Sequence, residues 1–289
     1  MRCCPQCKSD PISPAWHCQR CGFTAQTVDG VPLLSPAIAE WTGEDAQYTY
    51  PELRDAESRH FWFVSRAELI AWAIRRYFPD AASLFDVGCG TGGVAATIGR
   101  LDPSLAIVAG DSQLLALTLA KQQAPRVEFV QCDIRALPFE REFDIAGAFD
   151  VLEHLDDDEA VLREMHRVIR PGGGLIVTVP QHQWLWSEVD DFSHHRRRYA
   201  RAELEGRIRG AGFELLRVTS FMTLTLPAML LSRLTPRRGD GFDPTRELQI
   251  GGFVNAVLSA ACAIERRLIT TRVPLPVGGS LLAIARRCD

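Results

Sequence analysis

Leu84 to Gly93, LFDVGCGTGG, is the stretch whose reading decides the fold. The apolar run Ala82 to Val87 predicts a buried strand, which runs straight into Gly88, Gly90, Gly92 and Gly93 and then a helical pattern from Val94. Glycines in such a turn let the backbone take positive φ and come close to a ligand, and the helix N-terminus behind them attracts an anionic group. Gly88, Gly90 and Gly93 also satisfy the G-x-G-x-x-G of dinucleotide sites. The turn alone therefore leaves open a dinucleotide site and a strand-to-helix turn without a ligand. Working outward, a second strand at Leu105–Ala109 runs on to Asp111, and a third at Val127–Gln131 leads into Cys132, Asp133 and Ile134. A fourth, Phe143–Ala148, leads into FDVLEH; then come an amphipathic helix Glu159–Ile169, a turn RPGGG and a strand LIVTVP. Alternating strands and helices predict a parallel, doubly wound α/β sheet with its ligand at the strand carboxyl ends.

The bulk properties narrow the function. With 289 residues, 46% of them hydrophobic, the chain has material for one large core and a small appendage. A net charge of −4 argues against a protein that coats nucleic acid. The opening MRCCPQCKSD has no apolar segment of the signal-peptide kind. The longest apolar runs, near Phe221–Leu231 and Phe253–Ile264, are shorter than the roughly 18 residues of a spanning helix. The expectation is a cytoplasmic protein.

Of nine cysteines, Cys3, Cys4, Cys7, Cys18 and Cys21 crowd the start, while Cys89, Cys132, Cys262 and Cys288 are scattered. Cys4-Pro-Gln-Cys7 and Cys18-Gln-Arg-Cys21 are two C-x-x-C turns, the pattern of a tetrahedral four-thiolate zinc site, with a redox dithiol as the competing reading. Gly22 helps the second turn close, and Cys3 is a spare thiol able to compete as a ligand. We expect a zinc module at residues 1–37, a linker to about residue 45 and a main domain at 46–289.

The continuation VDGVPLLSP, Val28 to Pro36, resembles the small zinc ribbons fused to or partnered with methyltransferases. In the main domain, Asp86 ahead of the first glycine, CDIRALPF (Cys132 to Phe139) and LREMHRVIRPGGGLIVTVP (Leu162 to Pro180) follow in order. This succession, over roughly residues 55–220, resembles the class I S-adenosylmethionine-dependent methyltransferases of the methyltransferase-11 type. The resemblance implies a mostly parallel seven-stranded sheet closed by an antiparallel hairpin, with S-adenosyl-L-methionine as cofactor and a structural Zn2+ on Cys4, Cys7, Cys18 and Cys21. Asp86, Gly88, Cys89, Gly90 and Gly92 would hold the methionine end. Asp111 and Ser112 would bind the ribose, Asp133 and Ile134 the adenine, and the backbone at Phe149 and Asp150 would line the sulfonium. Cys89 and Cys132 also read as buried packing thiols.

Acceptor-side residues must lie beyond the fourth or fifth strand. Asp150, Glu153 and His154 fall at i, i+3 and i+4 and so share a helical face. Helix-start packing, His154 as a general base and a divalent metal all remain open for them. The loop PQHQWLWSEVDDFSHHRRRY offers His182, His194, His195 and Tyr199 as catalytic candidates, and Trp184, Trp186, Arg196, Arg197 and Arg198 as an acceptor-binding set. Arginines there suit a carboxylate or phosphate, although ion pairs to Asp190, Asp191 or Glu188 would equally occupy them. Ala200 stands where a helix-capping Ser or Thr is expected. Residues 55–78 read as one helix, with His60 and Trp62 as a lid over the cofactor and further substrate-binding candidates.

The hairpin arms are predicted at Phe213–Thr219 and Ser280–Arg286, which leaves a helical insertion at about 221–278. Its apolar stripe runs through Phe253, Val254, Val257, Leu258, Ala261, Ile264 and Leu268, with Arg233, Arg237 and Arg238 beside the other apolar run. This predicts a substrate cap, a homodimer face or a peripheral contact with the inner face of a membrane. The expected acceptor is a small or lipid-like, anionic molecule methylated at oxygen. The alternative is rRNA or tRNA, recognised through the ribbon.

Overall fold

Strands buried on both faces require helices on both sides of their sheet. β3 (Ser83–Val87) and β6 (Phe143–Phe149) are of this kind, each with a single residue short of full burial. The structure is a computed structural model and describes residues 1–39, 50–234 and 248–288. Its remaining strands are β1 (Gln26–Val28), β2 (Val31–Leu33), β4 (Ala106–Asp111), β5 (Glu128–Gln131), β7 (Ile169–Pro180), β8 (Phe213–Phe221) and β9 (Ser280–Arg287). They form one nine-stranded sheet in the order β1-β2-β5-β4-β3-β6-β7-β9-β8. Neighbours from β2 to β7 are parallel. The β9–β8 hairpin closes the far edge antiparallel, as expected.

The helices are α1 (Pro36–Ala39), α2 (Tyr50–Glu57), α3 (Phe61–Tyr77), α4 (Gly93–Leu101), α5 (Leu114–Gln123), α6 (Asp158–Val168), α7 (Glu188–Phe192), α8 (Arg201–Gly210), α9 (Leu226–Leu234) and α10 (Gly252–Thr270). Two buried clusters fill the two faces. One joins Phe85, Phe139 and Phe143 to α6 and α8; the other joins α3, α4 and α5 to Leu84, Ile107 and Phe129.

Three expectations are corrected. The sheet has nine strands, because the cysteine-rich module adds β1 and β2 to the seven. Leu33 pairs with Gln131, and the Leu34 N–H donates to the Gln131 carbonyl at 2.8 Å. This covers the β5 edge, which would otherwise expose unpaired backbone groups. RPGGG is not a separate turn but part of β7, accommodated by a register shift against β6. Residues 55–78 are two helices, because His60 is extended (ψ 132°) and its Nδ1 accepts the Trp62 N–H, starting α3 afresh. As expected, Ala200 sits at the N-cap of α8 without a side-chain bond, and the helix begins at Arg201.

The module is docked on the domain. Trp16 meets Phe139 edge-on at 5.5 Å and joins the same buried cluster as Phe85. Such an aromatic pair contributes about 0.5–1.5 kcal/mol beyond its burial. Of the expected linker, residues 40–45 lie outside the described residues, as do Arg237, Arg238 and the side chain of Arg233 in the insertion. The described part of the insertion is anchored to α3. The Phe61 N–H donates to Asn255 Oδ1, and the Glu265 carboxylate accepts from the amides of Met222, Thr223 and Leu224. The opposite side of α10 stays apolar and open: Phe253 is 83% exposed, and Val254, Val257 and Ile264 are exposed with it. No described helix is long and apolar enough to cross a membrane.

Candidate active site

The glycine turn ends β3 and leads into α4, so its backbone is aimed at the carboxyl end of the sheet. Gly88 (φ +70°) is packed so closely that a Cβ there would meet the Val151 methyls at 2.8 Å. Gly90 (φ +53°) has open space where a Cβ would be. That turn is clasped from β4: Asp111 Oδ2 accepts the Gly90 N–H at 2.8 Å, and its Oδ1 accepts the Gln113 N–H at 2.9 Å. Asp86 is 2% exposed and its Oδ2 is buried without a hydrogen-bond partner. Burial pushes its pKa up to about 8, with Asp111 and Glu57 adding to the rise and Arg66 opposing it. A cradle of open backbone, with an orphaned carboxylate at one end and a clasped one beside it, fits a ligand carrying both an ammonium and a ribose. These are the features of S-adenosylmethionine.

Asp133 lies at the next strand end, half-buried. Its carboxylate is gripped by Arg135 through two bonds of 2.9 Å, and its N–H donates to Ser35 Oγ of the cysteine-rich module. Ile134 packs beside it, partly buried. The Ser112 carbonyl accepts from Gln131 Nε2, which ties it into the sheet edge. Cys89 and Cys132 behave as packing thiols, their pKa raised by burial.

Asp150 and its neighbours depart from the sequence reading. Asp150 (φ +59°) is a neighbour of Glu153 and His154 but lies outside the ligand-type cluster they form. Its carboxylate takes a bond from Arg66 and another from Thr178 Oγ1 at 2.8 Å. Arg66, 6% exposed, is stacked under Trp62 at 4.3 Å. Trp62 therefore borders this end of the site, while His60 serves as the α3 cap. Glu153 and His154 lie on a short 3₁₀ turn after β6 and converge instead with His195, their ligand-type atoms all within 4.8 Å of one another. Burial, then the neighbouring Asp150, raises the Glu153 pKa far above the carboxylate range. His154 is solvent-exposed, and desolvation of its ring, then His195, lowers its pKa.

The arginine row, expected to bind the acceptor, makes its contacts within the protein. Arg198 grips the fully buried Asp190 through bonds of 2.7 and 3.0 Å. Arg197 donates to the carbonyls of Leu155 and Asp156, and Arg196 reaches Asp156 at 3.4 Å. Tyr199 does the same: it is fully buried and its hydroxyl donates to Asp158. His182 is stacked on the exposed Trp184 at 5.3 Å, Trp186 Nε1 donates to Asp191, and His194 lies on the exposed turn with its N–H on the Asp191 carbonyl. Of the five histidine and tyrosine candidates, the structure brings only His154 and His195 together. Tyr199→Phe removes one buried hydrogen bond, a loss of about 1–2 kcal/mol. It is expected to lower Tm by a few degrees and leave any turnover unchanged, measured by calorimetry and initial rates. A catalytic tyrosine would lose turnover by orders of magnitude instead.

The sequence reading missed Arg66, Glu57 and Ser35. Glu57, at the end of α2, lies against Gly93, and burial pushes its pKa up to about 7. Nothing local marks these residues; they reach the site from elements distant in the chain.

In the module, the sulfurs of Cys4 and Cys21 are 3.6 Å apart and those of Cys7 and Cys18 3.7 Å. A tetrahedron with 2.3 Å metal–sulfur bonds has an edge of about 3.8 Å, so the four thiols fit zinc. Cys3 stays outside the group, its Sγ on the Met1 carbonyl.

Residues 85–177 match the family model described as a methyltransferase domain. Trans-aconitate 2-methyltransferase of Azoarcus sp. is 33% identical over 132 residues, 46% of this chain and 50% of that protein. Malonyl-[acyl-carrier protein] O-methyltransferase of Enterobacter lignolyticus is 28% identical over 168 residues, 55% of this chain and 64% of that protein. The chain thus spans between half and two thirds of the length of these relatives. Among solved structures, the [4+2]-cyclase SpnF superposes with a TM-score of 0.57 at 21% identity, covering 86% of this chain and 97% of its own. That likeness shows a shared fold. It also shows that the fold alone does not fix the reaction.

Proposed function

We propose that this chain, which carries a methyltransferase domain on the class I fold with a cysteine-rich module docked against it, is an S-adenosylmethionine-dependent methyltransferase. Its acceptor is a small molecule, lipid-like in part, methylated at an oxygen. The observation that carries the reading is the clasped glycine cradle between Asp86 and Asp111, with its buried, unpartnered carboxylate oxygen. The named relatives, a trans-aconitate 2-methyltransferase and a malonyl-[acyl-carrier protein] O-methyltransferase, support a small acidic acceptor. The open apolar side of α10 supports a lipid-like portion. Nothing comparable favours RNA.

When bound, S-adenosylmethionine supplies a methyl group already activated on a sulfonium, so the protein's task is alignment and exclusion of water. The backbone of Gly88, Gly90 and Gly92 would cradle the methionine end, with Asp86 facing its ammonium. Asp111 would take the ribose hydroxyls while holding the Gly90 amide. Arg66 is bonded to Asp150 in its left-handed conformation and would fix the backbone expected to line the sulfonium. On the acceptor side, a hydroxyl acceptor must lose a proton, whereas a carboxylate acceptor needs no base. We also assign Zn2+ to the four module thiols as a structural ion.

The test is transfer of labelled methyl from S-adenosylmethionine to pools of carboxylates, phenols, prenyl phosphates and, as the competing class, structured RNA. Turnover confined to RNA would overturn the acceptor assignment.

Asp86 also predicts a proton linkage. With its pKa near 8, the carboxyl is mostly protonated at pH 7 in the free chain. A ligand ammonium beside it favours the carboxylate, so binding lowers the pKa and releases the proton. Affinity for S-adenosylhomocysteine should therefore rise with pH up to about 8 and then level. Calorimetry at pH 7 in buffers of different ionisation enthalpy should report release of most of one proton. A pH-flat affinity without proton release would contradict this.

A further inference from the structure

Glu153 is fully buried and neither of its carboxylate oxygens has a hydrogen-bond partner. A carboxyl group removed from water and left unpaired is costly, and native structures supply such groups with a partner. The partner is missing on the side where two imidazoles converge. His154 follows Glu153 on the same turn, and His195 arrives from the loop after β7, the rings of the two histidines 4.7 Å apart. The two loops are stapled together by the Arg196 N–H, which donates to the Glu153 carbonyl at 2.6 Å.

His195 is not free to turn. Its Nδ1 is 2.9 Å from Asp190 Oδ1, and Asp190 is fully buried, gripped by Arg198 and bonded by the Ser187 N–H. An Nδ1–H donated to that carboxylate leaves the Nε2 lone pair as the only one available. Carboxylate-supported imidazoles of this kind are the usual outer support of metal-binding histidines.

We propose that Glu153, His154 and His195 bind a divalent transition-metal ion, with Asp190 orienting His195. One carboxylate and two imidazoles form a nitrogen–oxygen set, chemically distinct from the four thiolates of the module, and suited to Mn2+, Fe2+ or Zn2+. Three protein ligands leave coordination positions open. On the reading that the acceptor meets this side of the site, an acceptor oxygen takes one of them and is made more acidic by the ion. The binding of the ion does not depend on that reading. Asp150, which the sequence groups with Glu153 and His154, lies outside this cluster, its Oδ2 engaged by Arg66 and Thr178.

Mn2+ alone is the probe, because it disfavours thiolates and leaves the zinc module undisturbed. The full-length chain is titrated with Mn2+ and the free ion is read by electron paramagnetic resonance. The wild-type chain is expected to take up one equivalent. Glu153→Gln, nearly isosteric, should weaken binding by about a hundredfold or more. Asp190→Asn should weaken it by about 10–100-fold, and Cys21→Ser should leave it unchanged. Retained S-adenosylhomocysteine affinity checks the fold of the Glu153 and Asp190 variants, and if one of them fails to fold the other decides. No uptake by the wild-type chain, or equal uptake by the Glu153 and Asp190 variants, would overturn the proposal. Mn2+ uptake without S-adenosylhomocysteine binding would leave the site standing and sink the methyltransferase reading, and the reverse result would do the opposite.

Discussion

Asp111→Ala is expected to weaken S-adenosylhomocysteine binding by two to four orders of magnitude while the chain stays folded. The carboxylate holds the Gly90 and Gln113 amides at 2.8 and 2.9 Å, and under the proposed function it also meets the ribose. Hydrogen bonds to a charged group are worth about 1.5–3 kcal/mol each. Two such bonds amount to about 3–6 kcal/mol, or roughly 10²–10⁴ in affinity. Gly90 has open space around it, so the unclasped turn is free to relax without disturbing the core. Asp133→Ala supplies the contrast. Its carboxylate is already committed to Arg135, so its removal should cost less than about tenfold. Calorimetric titration of both variants, with Tm measured alongside, separates lost binding from lost folding. Equal losses for the two would contradict the assignment of Asp111 as the clasp.

Removing the module's metal, by chelation or by Cys18→Ser, is the second large effect. Structural zinc contributes binding free energy of about 10–16 kcal/mol in zinc-finger peptides, and that energy is folding energy for the segment that binds it. Without it, residues 1–37 have two three-residue strands and little core of their own. Their loss uncovers Phe139 and the β5 edge and frees Ser35 from the Asp133 amide. We expect loss of the thiolate-bound equivalent of zinc, a red shift in tryptophan emission as Trp16 is exposed, and a Tm lower by several degrees. S-Adenosylhomocysteine affinity should fall by about tenfold, because the adenine-side loop has lost its support. An unchanged Tm would show the module to be a passive appendage.

The central strands and the glycine turn are legible in the sequence because a doubly buried strand and a positive-φ turn each leave a local signature, as in Leu84–Gly93. The hairpin arms are legible for the same reason, to within two residues. What escapes is whatever depends on a partner far along the chain. The three-residue strands β1 and β2 have no periodicity to read, so their joining the sheet at Gln131 is invisible. The row Arg196–Arg198 reads as an anion pocket because its neutralising groups, Asp190 and the Leu155 and Asp156 carbonyls, become neighbours only in the fold. His195 belongs with Glu153 and His154 because the loop after β7 folds back over β6, whereas helical spacing pointed to Asp150. Arg66 and Glu57 show no chemistry of their own until α2 and α3 bring them against Asp150 and Gly93.

The account rests on the cradle between Asp86 and Asp111 binding S-adenosylmethionine. Isothermal titration of the full-length chain with S-adenosylhomocysteine tests this most directly. One site per chain is predicted, abolished or severely weakened in Asp111→Ala and with proton release traceable to Asp86. Absence of any saturable binding by a folded, zinc-loaded wild-type chain, to either S-adenosylhomocysteine or S-adenosylmethionine, would contradict it.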